Sequence, residues 1–408
     1  MASAAGRTSA PDKGATATAK SLSAGKSLTV LADRYHYRLS EHLHPEIRLI
    51  TYDAPTGWTD SQIRQADALL VRTTNSAGPR TIPDSSRLRF VGTASAGRDH
   101  LDEEWLASSG IVAADAKGSN ARAVAEYVAA GLLLLLEKQG QLERDGFRQT
   151  LTAGIIGAGC TGKVTAELLS GIGISCLLHD PPRQEREPDT FRSAALDDVL
   201  SCDILSLHVP LTDEGPHATR HWLDRHKTGR RPGQIIINAS RGGVADENVL
   251  TKATDDGRIS AYLCDVWEHE PCFRDKTVEK AFLATPHIAG YSLEAKLEAT
   301  RMICRQLHRF FDLPDPRQPE MRPNVPTVPD TFRSMSEVLK TIHPATKYEK
   351  GLRKLIGLPD PEKRAGFLSL RQLLPLRHEF ANLRLPGRIR ERFPLLEKLG
   401  LAFSDGTG

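Results

Sequence analysis

The chain has 408 residues, enough for two or three domains, and 39% of them are hydrophobic, as in a globular protein with a sizeable core. A formal net charge of +3 is too small to argue for a nucleic-acid or membrane-surface partner. Six cysteines without a C-x-x-C pair argue against a structural zinc site and fit a reducing compartment, so a cytoplasmic protein without a metal is expected.

Residues 1–26 are rich in Ala, Ser, Thr and Gly and carry one acid, Asp12. Such a stretch cannot bury enough apolar surface to fold alone, so it reads as a disordered tail. A transit peptide is the other reading, although amphipathic periodicity is missing. Order begins at Ser27 to Ala32, a buried-strand pattern. A second apolar run, Ala68 to Val71, ends in Arg72-Thr73-Thr74, and a third, Phe90 to Gly92, leads into Thr93 to Gly97. Strands alternating with helical segments imply a parallel sheet, whose ligands sit at the carboxyl ends of the strands. That places Arg72, Thr73, Ser95 and Gly97 where a substrate would lie. The competing reading is polar residues that merely solubilise a loop.

Gly118 to Leu136 is predicted as a long helix. Its apolar core, Val124 to Leu136, contains Glu126 and is too short to span a bilayer, which makes it a buried helix. Leu151 to Ile156 then supplies a strand, and Gly157, Gly159 and Gly162 fit G-x-G-x-x-G, with Cys160 and Thr161 between them. Gly157 permits a tight turn, Gly159 lets a pyrophosphate approach the backbone, and Gly162 lets the helix pack close to the sheet. The helix start offers unpaired N–H groups to phosphate charge. Lys163 to Leu169 continues as helix, and Ile174 to His179 is a second strand ending at Asp180, where a carboxylate would bind the ribose hydroxyls of NAD. The competing reading is an ordinary βαβ turn with a surface aspartate.

Further strands are expected near Ile204 to Val209, Gln234 to Asn238 and Ala261 to Val266. Motif order implies a split first domain. Residues 27–120 and 290–313 form a substrate-binding domain, and 121–289 an NAD-binding one. A proline-rich linker, 314–329, leads to a third segment, 330–408. His217 and His221 lack an H-E-x-x-H and read as surface histidines.

Four stretches past strand ends line the cofactor crevice: His208-Val209-Pro210, Asn238 to Gly243 (with Ala239, Ser240 and Arg241), Asp265 to Pro271, and Thr285 to Tyr291 with Gly290. Oxidising a hydroxy acid with a nicotinamide requires a base for the hydroxyl proton, a carboxylate to orient and charge that base, and a planar cation for the substrate carboxylate. His287, Glu270 and Arg241 supply those groups. Glu268 and His269 are nearby competitors.

On these motifs the chain resembles the D-isomer-specific 2-hydroxyacid dehydrogenases over roughly residues 60 to 312. The resemblance rests on the glycine motif with Asp180 and on H-x-P-L at 208–211, N-x-x-R-G at 238–242, D-V-W-x-x-E-P at 265–271 and T-P-H-I-A-G at 285–290. It implies an α/β fold of two doubly wound parallel-sheet (Rossmann-like) domains and NAD as cofactor. It also implies Arg241 on the substrate carboxylate, His287 as acid/base with Glu270 as partner, and Asp265 near the nicotinamide.

A narrower likeness, in Val91 to Asp102, Gly118 to Ala121, Val124 to Val128, Asp180 to Arg183, Asp213 to Pro216, Gly290 to Glu294, Leu352 to Gly357 and Arg377 to Phe380, is to members that oxidise a 4-phosphorylated four-carbon hydroxy acid on the way to pyridoxal phosphate. It implies substrate contacts at Thr73, Ser95 and Tyr291, and a small C-terminal α+β dimerisation domain, hence a homodimer. Arg72 is the candidate for the phosphate. Leu352, Leu355, Ile356, Phe367, Leu370, Leu373 and Leu374 would form an apolar face for the partner, with Arg371, Arg377 and His378 reaching toward its cleft. Packing of that face on the parent domains is the alternative. Two other functions stay open: a dehydrogenase for another D-2-hydroxy acid such as 3-phosphoglycerate, and a nucleotide-sensing interaction protein without turnover.

Overall fold

The computed structural model describes residues 27–54, 56–83, 86–316, 325–326, 328, 332–372 and 376–404. The N-terminal tail, part of the proline-rich linker, Leu373 and Leu374 lie outside the described residues. The chain divides into two compact units, Met1–Ala116 with Thr300–Pro319, and Lys117–Ala299 with Glu320–Gly408.

The first unit is built on a parallel sheet of β1 (Thr29–Asp33), β2 (Arg48–Tyr52), β3 (Ala68–Val71), β4 (Phe90–Thr93) and β5 (Val112–Asp115), ordered 2-1-3-4-5. β1, β3 and β4 are buried end to end, as central strands covered on both faces must be, and so read as continuous apolar runs. The edge strands β2 and β5 are only partly buried, and their mixed composition hid them in the sequence. One face of the sheet packs on Ile63, Ile82 and Leu106, the other on Ile303, Leu307 and Phe311 from the returning chain. Gly92 in β4 makes room for that return, since a Cβ there would lie 2.6 Å from the Ile303 side chain.

The second unit carries a six-stranded parallel sheet: β6 (Thr152–Ile156), β7 (Ser175–His179), β8 (Ile204–Leu207), β9 (Gln234–Asn238), β10 (Ile259–Cys264) and β11 (Leu283–Ala284). The order is 11-10-9-8-6-7, so the winding reverses between β6 and β8, and ligands of such sheets bind at the carboxyl ends of the strands at that reversal. The helix Ala121–Lys138 is buried almost all round and packs on the helix Cys160–Gly171. It starts three residues later than predicted, because Gly118 has φ +91° and breaks the helical path.

The C-terminal residues do not form a unit of their own. Val338, Leu339 and Ile342 of the helix Met335–Ile342 join the core around Ala121–Lys138, as do Phe380, Leu385 and Leu396. Glu137 caps the start of that helix, its two oxygens accepting the Met335 and Ser336 N–H groups at 2.9 and 2.8 Å. The helices Ala345–Arg353 and Asp360–Gln372 bury Leu352 and Phe367 with Tyr262, Phe273 and Val278, and Leu355, Ile356 and Leu370 pack against the same cluster. The apolar face expected to meet a partner is therefore covered by the chain's own nucleotide unit. A short parallel pair, β12 (Arg384–Pro386) with β13 (Ala402–Ser404), completes the segment.

The unit boundaries also differ from the expected ones. Residues 290–299 stay with the nucleotide unit, where Leu293 N–H donates to the Arg377 carbonyl and Ser292 Oγ to Glu379 at 2.9 Å. The chain rejoins the first unit at Thr300, within the helix Leu293–Phe310.

Candidate active site

The glycine turn is built for a phosphate at close range. Gly157 has φ +90°, and a Cβ there would meet the His208 carbonyl at 2.6 Å, with Val209 as close behind. A Cβ at Gly162 would fall 1.9 Å from the Gly157 carbonyl, so only glycine lets the helix start against the turn. Gly159 differs: a Cβ there meets nothing within 4 Å, leaving an open cradle over the first turn of Cys160–Gly171, which Gly159 does not cap with a side chain. Exposed Cys160 and half-buried Thr161 stand at that helix start. A pyrophosphate fits this arrangement of open space and unpaired N–H groups.

Asp180, half-buried at the end of β7, accepts the Ala158 N–H at 2.8 Å and the Arg183 N–H at 2.9 Å. Both contacts tie it to the glycine turn and still leave lone pairs for a ribose diol. Arg183 is occupied elsewhere, donating to the Ala158 carbonyl and to Glu187 at 2.9 Å each and lying 4.2 Å over the Phe191 ring. His208 shares a 2.8 Å hydrogen bond with Ser206, and burial pushes its pKa down to about 4, so it stays neutral at physiological pH.

Because all six strands run parallel, the loops after β9, β10 and β11 leave the same edge of the sheet. Asn238, Ala239, Ser240 and Arg241 follow β9. Asn238 Oδ1 accepts from the Ser240 N–H and hydroxyl at 3.1 and 2.8 Å, its amide donates to the Arg241 carbonyl at 3.0 Å, and Arg241 Nη1 donates to the Ser240 carbonyl at 2.9 Å. A Cβ at Gly242 would sit 1.9 Å from the Trp267 carbonyl, which is how closely this loop abuts the one after β10.

Asp265 organises the next two loops. Oδ1 accepts from the Thr285 hydroxyl at 2.6 Å and the Ile288 N–H at 2.8 Å, and Oδ2 from the Ala289 N–H at 2.8 Å. Having given its proton to Asp265, the Thr285 hydroxyl receives that of Tyr127 at 2.7 Å, which links the buried helix to the site. Burial pushes the Asp265 carboxyl up against the opposing His287 charge and these hydrogen bonds. One acceptor position remains on Oδ2. Gly290 closes the loop against Asn120, 2.4 Å from where a Cβ would stand.

His287 Nδ1 and Glu270 Oε2 are 2.7 Å apart, while Glu270 Oε1 accepts the Trp267 N–H at 2.7 Å. Burial favours neutral His287, but the Glu270 charge and hydrogen bond outweigh it and raise the imidazole pKa. Burial likewise disfavours the Glu270 carboxylate, yet the charge and hydrogen bond of His287 hold its pKa below the usual range. The two side chains are 35% and 21% exposed, so solvent screens the pair in part. With Nδ1 held, Nε2 is the nitrogen left for a substrate hydroxyl. Of the competitors, Glu268 is engaged elsewhere: it pairs with His221 and gives its N–H to Glu247 at 2.7 Å, while His269 turns the loop at φ +66°.

In the first unit, Arg72 follows β3 with Nη1 3.9 Å from Asp33, and Thr73 beside it is exposed. Ser95 follows β4, donating to the Gly97 carbonyl at 2.7 Å beside Thr93, which also meets His100 at 2.9 Å. Tyr291 lies in the nucleotide unit and accepts a 3.0 Å hydrogen bond from Arg371 Nη2. The sequence reading sent Arg371, Arg377 and His378 toward a neighbouring subunit, but all three bind within their own chain, Arg377 to Glu126 at 2.6 Å and His378 to Glu294 at 2.8 Å. Arg371 thus meets Tyr291 inside its own nucleotide unit, a contact that sequence reasoning did not foresee.

Residues 135–289 match the family described as D-isomer specific 2-hydroxyacid dehydrogenase, NAD binding domain. The erythronate-4-phosphate dehydrogenase of Marinobacter nauticus is 36% identical over 338 residues, covering 80% of this chain and 86% of the relative. That of Tolumonas auensis is 33% identical over 380 residues, covering 90% and 97%. Among solved structures, NAD+-bound 3-phosphoglycerate dehydrogenase of Entamoeba histolytica shares the fold with a TM-score of 0.57 at 21% identity, over 70% of this chain and 96% of that one. The D-lactate dehydrogenase of Aquifex aeolicus gives 0.54 at 21% identity, over 70% and 95%.

Proposed function

The chain belongs to the erythronate-4-phosphate dehydrogenases, within the D-isomer-specific 2-hydroxyacid dehydrogenase family, and from that membership we propose that it oxidises 4-phospho-D-erythronate at its 2-hydroxyl with NAD. The product is (R)-3-hydroxy-2-oxo-4-phosphooxybutanoate, a step in vitamin B6 biosynthesis. The observation that carries the reading is the 2.7 Å His287–Glu270 pair on the same parallel-sheet unit as an open glycine cradle.

Bound NAD supplies the hydride acceptor. Gly157, Gly159, Cys160, Thr161 and Gly162 would hold its pyrophosphate, Asp180 its adenosine ribose, and Val209, Ala239, Ser240, Arg241, Asp265 and Gly290 the nicotinamide half. The remaining acceptor position of Asp265 Oδ2 suits an amide N–H. Arg241 forms a fork with the substrate carboxylate. His287 Nε2 takes the 2-hydroxyl proton as the carbon is oxidised, and Glu270 stabilises the imidazolium that results. Tyr291 contacts the rest of the substrate, and Arg72, Thr73 and Ser95 are the first unit's own candidates for substrate contact.

Among the described residues no helix is long and apolar enough to cross a membrane. Cytoplasmic location and a homodimer complete the reading. The dimer must use a surface other than the Leu352–Phe367 face, and sedimentation equilibrium measures it directly. The functional test follows NADH absorbance with 4-phosphoerythronate and, separately, 3-phosphoglycerate. Selective turnover of the first supports the reading. Turnover of only the second moves the chain to the other substrate, and NAD binding without turnover of either makes it a sensor.

A further inference from the structure

The reaction described above gives no task to Arg371. This residue stands on the last turn of the helix Asp360–Gln372. Its Nη2 donates to the Tyr291 hydroxyl at 3.0 Å, and its guanidinium carbon lies 5.7 Å from the centre of that ring. Its Nε is buried and meets no hydrogen-bond partner among the described residues. The helix that presents it is firmly seated: Phe367 is fully buried against Phe273, and Lys363 donates to Asp275 at 2.7 Å. Arg371 is near enough to the acid/base pair for its charge to lower the Glu270 pKa and to oppose protonation of His287.

A largely buried guanidinium normally has a carboxylate beside it, because leaving such a charge unpaired is costly. No carboxylate lies within ion-pair distance of Arg371 among the described residues, and a phenol is the only side chain it hydrogen-bonds there. An arrangement of that kind suits an anion that arrives from outside. The substrate carries two anionic ends. Arg241 serves the carboxylate, so the dianionic phosphate still needs a planar, multiply donating cation and a hydroxyl. Arg72 is a weaker candidate for it, because the buried Asp33 carboxylate, 3.9 Å away, already offsets part of its charge.

We propose that Arg371 and the Tyr291 hydroxyl form the subsite for the substrate's 4-phosphate, so that the C-terminal helix Asp360–Gln372 sets the preference for a phosphorylated hydroxy acid. The proposal rests on the functional reading above and names its specificity-determining residue. Arg371 donates through Nε and an Nη atom, while its existing bond to Tyr291 aims the phenol at the same oxygen cluster.

The test uses full-length wild type, Arg371→Gln and Arg371→Lys. Steady-state kinetics are measured with 4-phosphoerythronate and with erythronate. Thermal protection is measured without NAD, using 4-phosphoerythronate, erythronate and inorganic phosphate. Loss of two charge-assisted hydrogen bonds predicts that Arg371→Gln raises KM for 4-phosphoerythronate by about 100-fold or more, while the loss in kcat/KM for erythronate, which reads only the lost charge near His287 and Glu270, is at least about tenfold smaller than that for 4-phosphoerythronate. Arg371→Lys should fall between the two, and protection by phosphate and by 4-phosphoerythronate should vanish in the Gln variant. If the Gln variant does not fold, the Lys variant alone decides, since it must weaken the phosphorylated substrate selectively. Equal losses on both substrates, or undiminished protection by phosphate, overturn the subsite. A wild type that ignores 4-phosphoerythronate refutes the functional reading instead, and the phosphate-protection arm then judges Arg371 by itself.

Discussion

The backbone N–H of His287 donates to the carbonyl of Asp265 at 2.7 Å, while the Asp265 carboxylate gathers the next two N–H groups of the same loop. His287 sits at φ +56°, a conformation that β-carbon residues rarely adopt, and these bonds hold it there. Asp265→Ala should therefore cost activity by misplacing the imidazole as well as by any cofactor contact. With two buried N–H groups left unpaired and the Thr285 hydroxyl without its acceptor, the variant should lose about 2–4 kcal/mol of stability and at least about tenfold in kcat. Thermal melts and steady-state assays on the same preparation check both. Full activity would show that the loop holds its shape without the carboxylate.

The second prediction concerns pH. His287→Gln should lower kcat by at least about 100-fold, the low end for general acid–base catalysis. Glu270→Gln removes the charge that raises the His287 pKa, so the acid limb of the kcat profile should move to lower pH while the plateau falls. The linkage follows from the same directions. His287, raised in the folded state, contributes stability below its unfolded pKa of about 6.5 and loses it as pH rises through the higher folded value. Glu270, lowered in the folded state, contributes above its unfolded pKa of about 4.3 and loses it as pH falls through the lower folded value. The difference in Tm between wild type and Glu270→Gln should thus peak between those two unfolded values and shrink on either side. A difference that does not vary with pH would remove the ion pair from the account.

Cofactor choice is the third. The Asp180 carboxylate repels a 2′-phosphate, and Arg183 is not placed to rescue one, since Glu187 and the Ala158 carbonyl occupy its guanidinium. NAD should be preferred over NADP, and Asp180→Ala should narrow the gap in kcat/KM. The same substitution should loosen the glycine turn, because the Ala158 N–H loses its acceptor. Equal use of both cofactors by the wild type would displace Asp180 from its assigned role.

How much of this was legible beforehand depends on where the information is stored. The glycine turn tied to Asp180 and the His287–Glu270 pair, both of them proposed site elements, could be singled out because each needs a particular residue type at a local spacing. Central strands such as β3 and β9 announced themselves by continuous apolar runs, whereas β2, with Arg48 and Thr51, and β5, with two alanines, owe their pairing to neighbours far along the chain. The C-terminal face was seen as one-sided, but its partner could not be. Whether Leu352 and Phe367 meet a second subunit or Phe273 and Val278 of the same chain is a tertiary fact with no local signature. The bond from Arg371 to Tyr291 has no local signature for the same reason: it spans 80 residues.

Arg72 offers the fourth prediction. Its guanidinium faces Asp33 at 3.9 Å and lies 5.9 Å from the centre of the Tyr35 ring, so its charge is partly spoken for. Arg72→Ala should weaken 4-phosphoerythronate by a smaller factor than Arg371→Gln does, and should affect erythronate as well. Parallel KM measurements rank the two. A larger and phosphate-selective loss at Arg72 would transfer the phosphate to the first unit.

The last prediction concerns the C-terminal segment as an internal brace. Glu126 is fully buried in the helix Ala121–Lys138 and is answered by Arg377 at 2.6 Å, by Arg122 at 2.8 Å and by the Phe380 N–H at 2.9 Å. Two of those three partners come from beyond residue 376, so truncation after Asp330 would strip a buried carboxylate of most of its support as well as exposing the Val338–Phe380 core. The truncated chain should fail to fold cooperatively, rather than survive as a sound monomer. A gentler experiment isolates the charge. Arg377→Met should cost about 3–5 kcal/mol by leaving Glu126 undercompensated, whereas adding Glu126→Gln to it should restore part of that loss. Denaturant titrations of the two single variants and the double variant give the coupling. Additive losses would mean that Arg377 stabilises the segment through its contact with Phe380 and the Ala123 carbonyl instead.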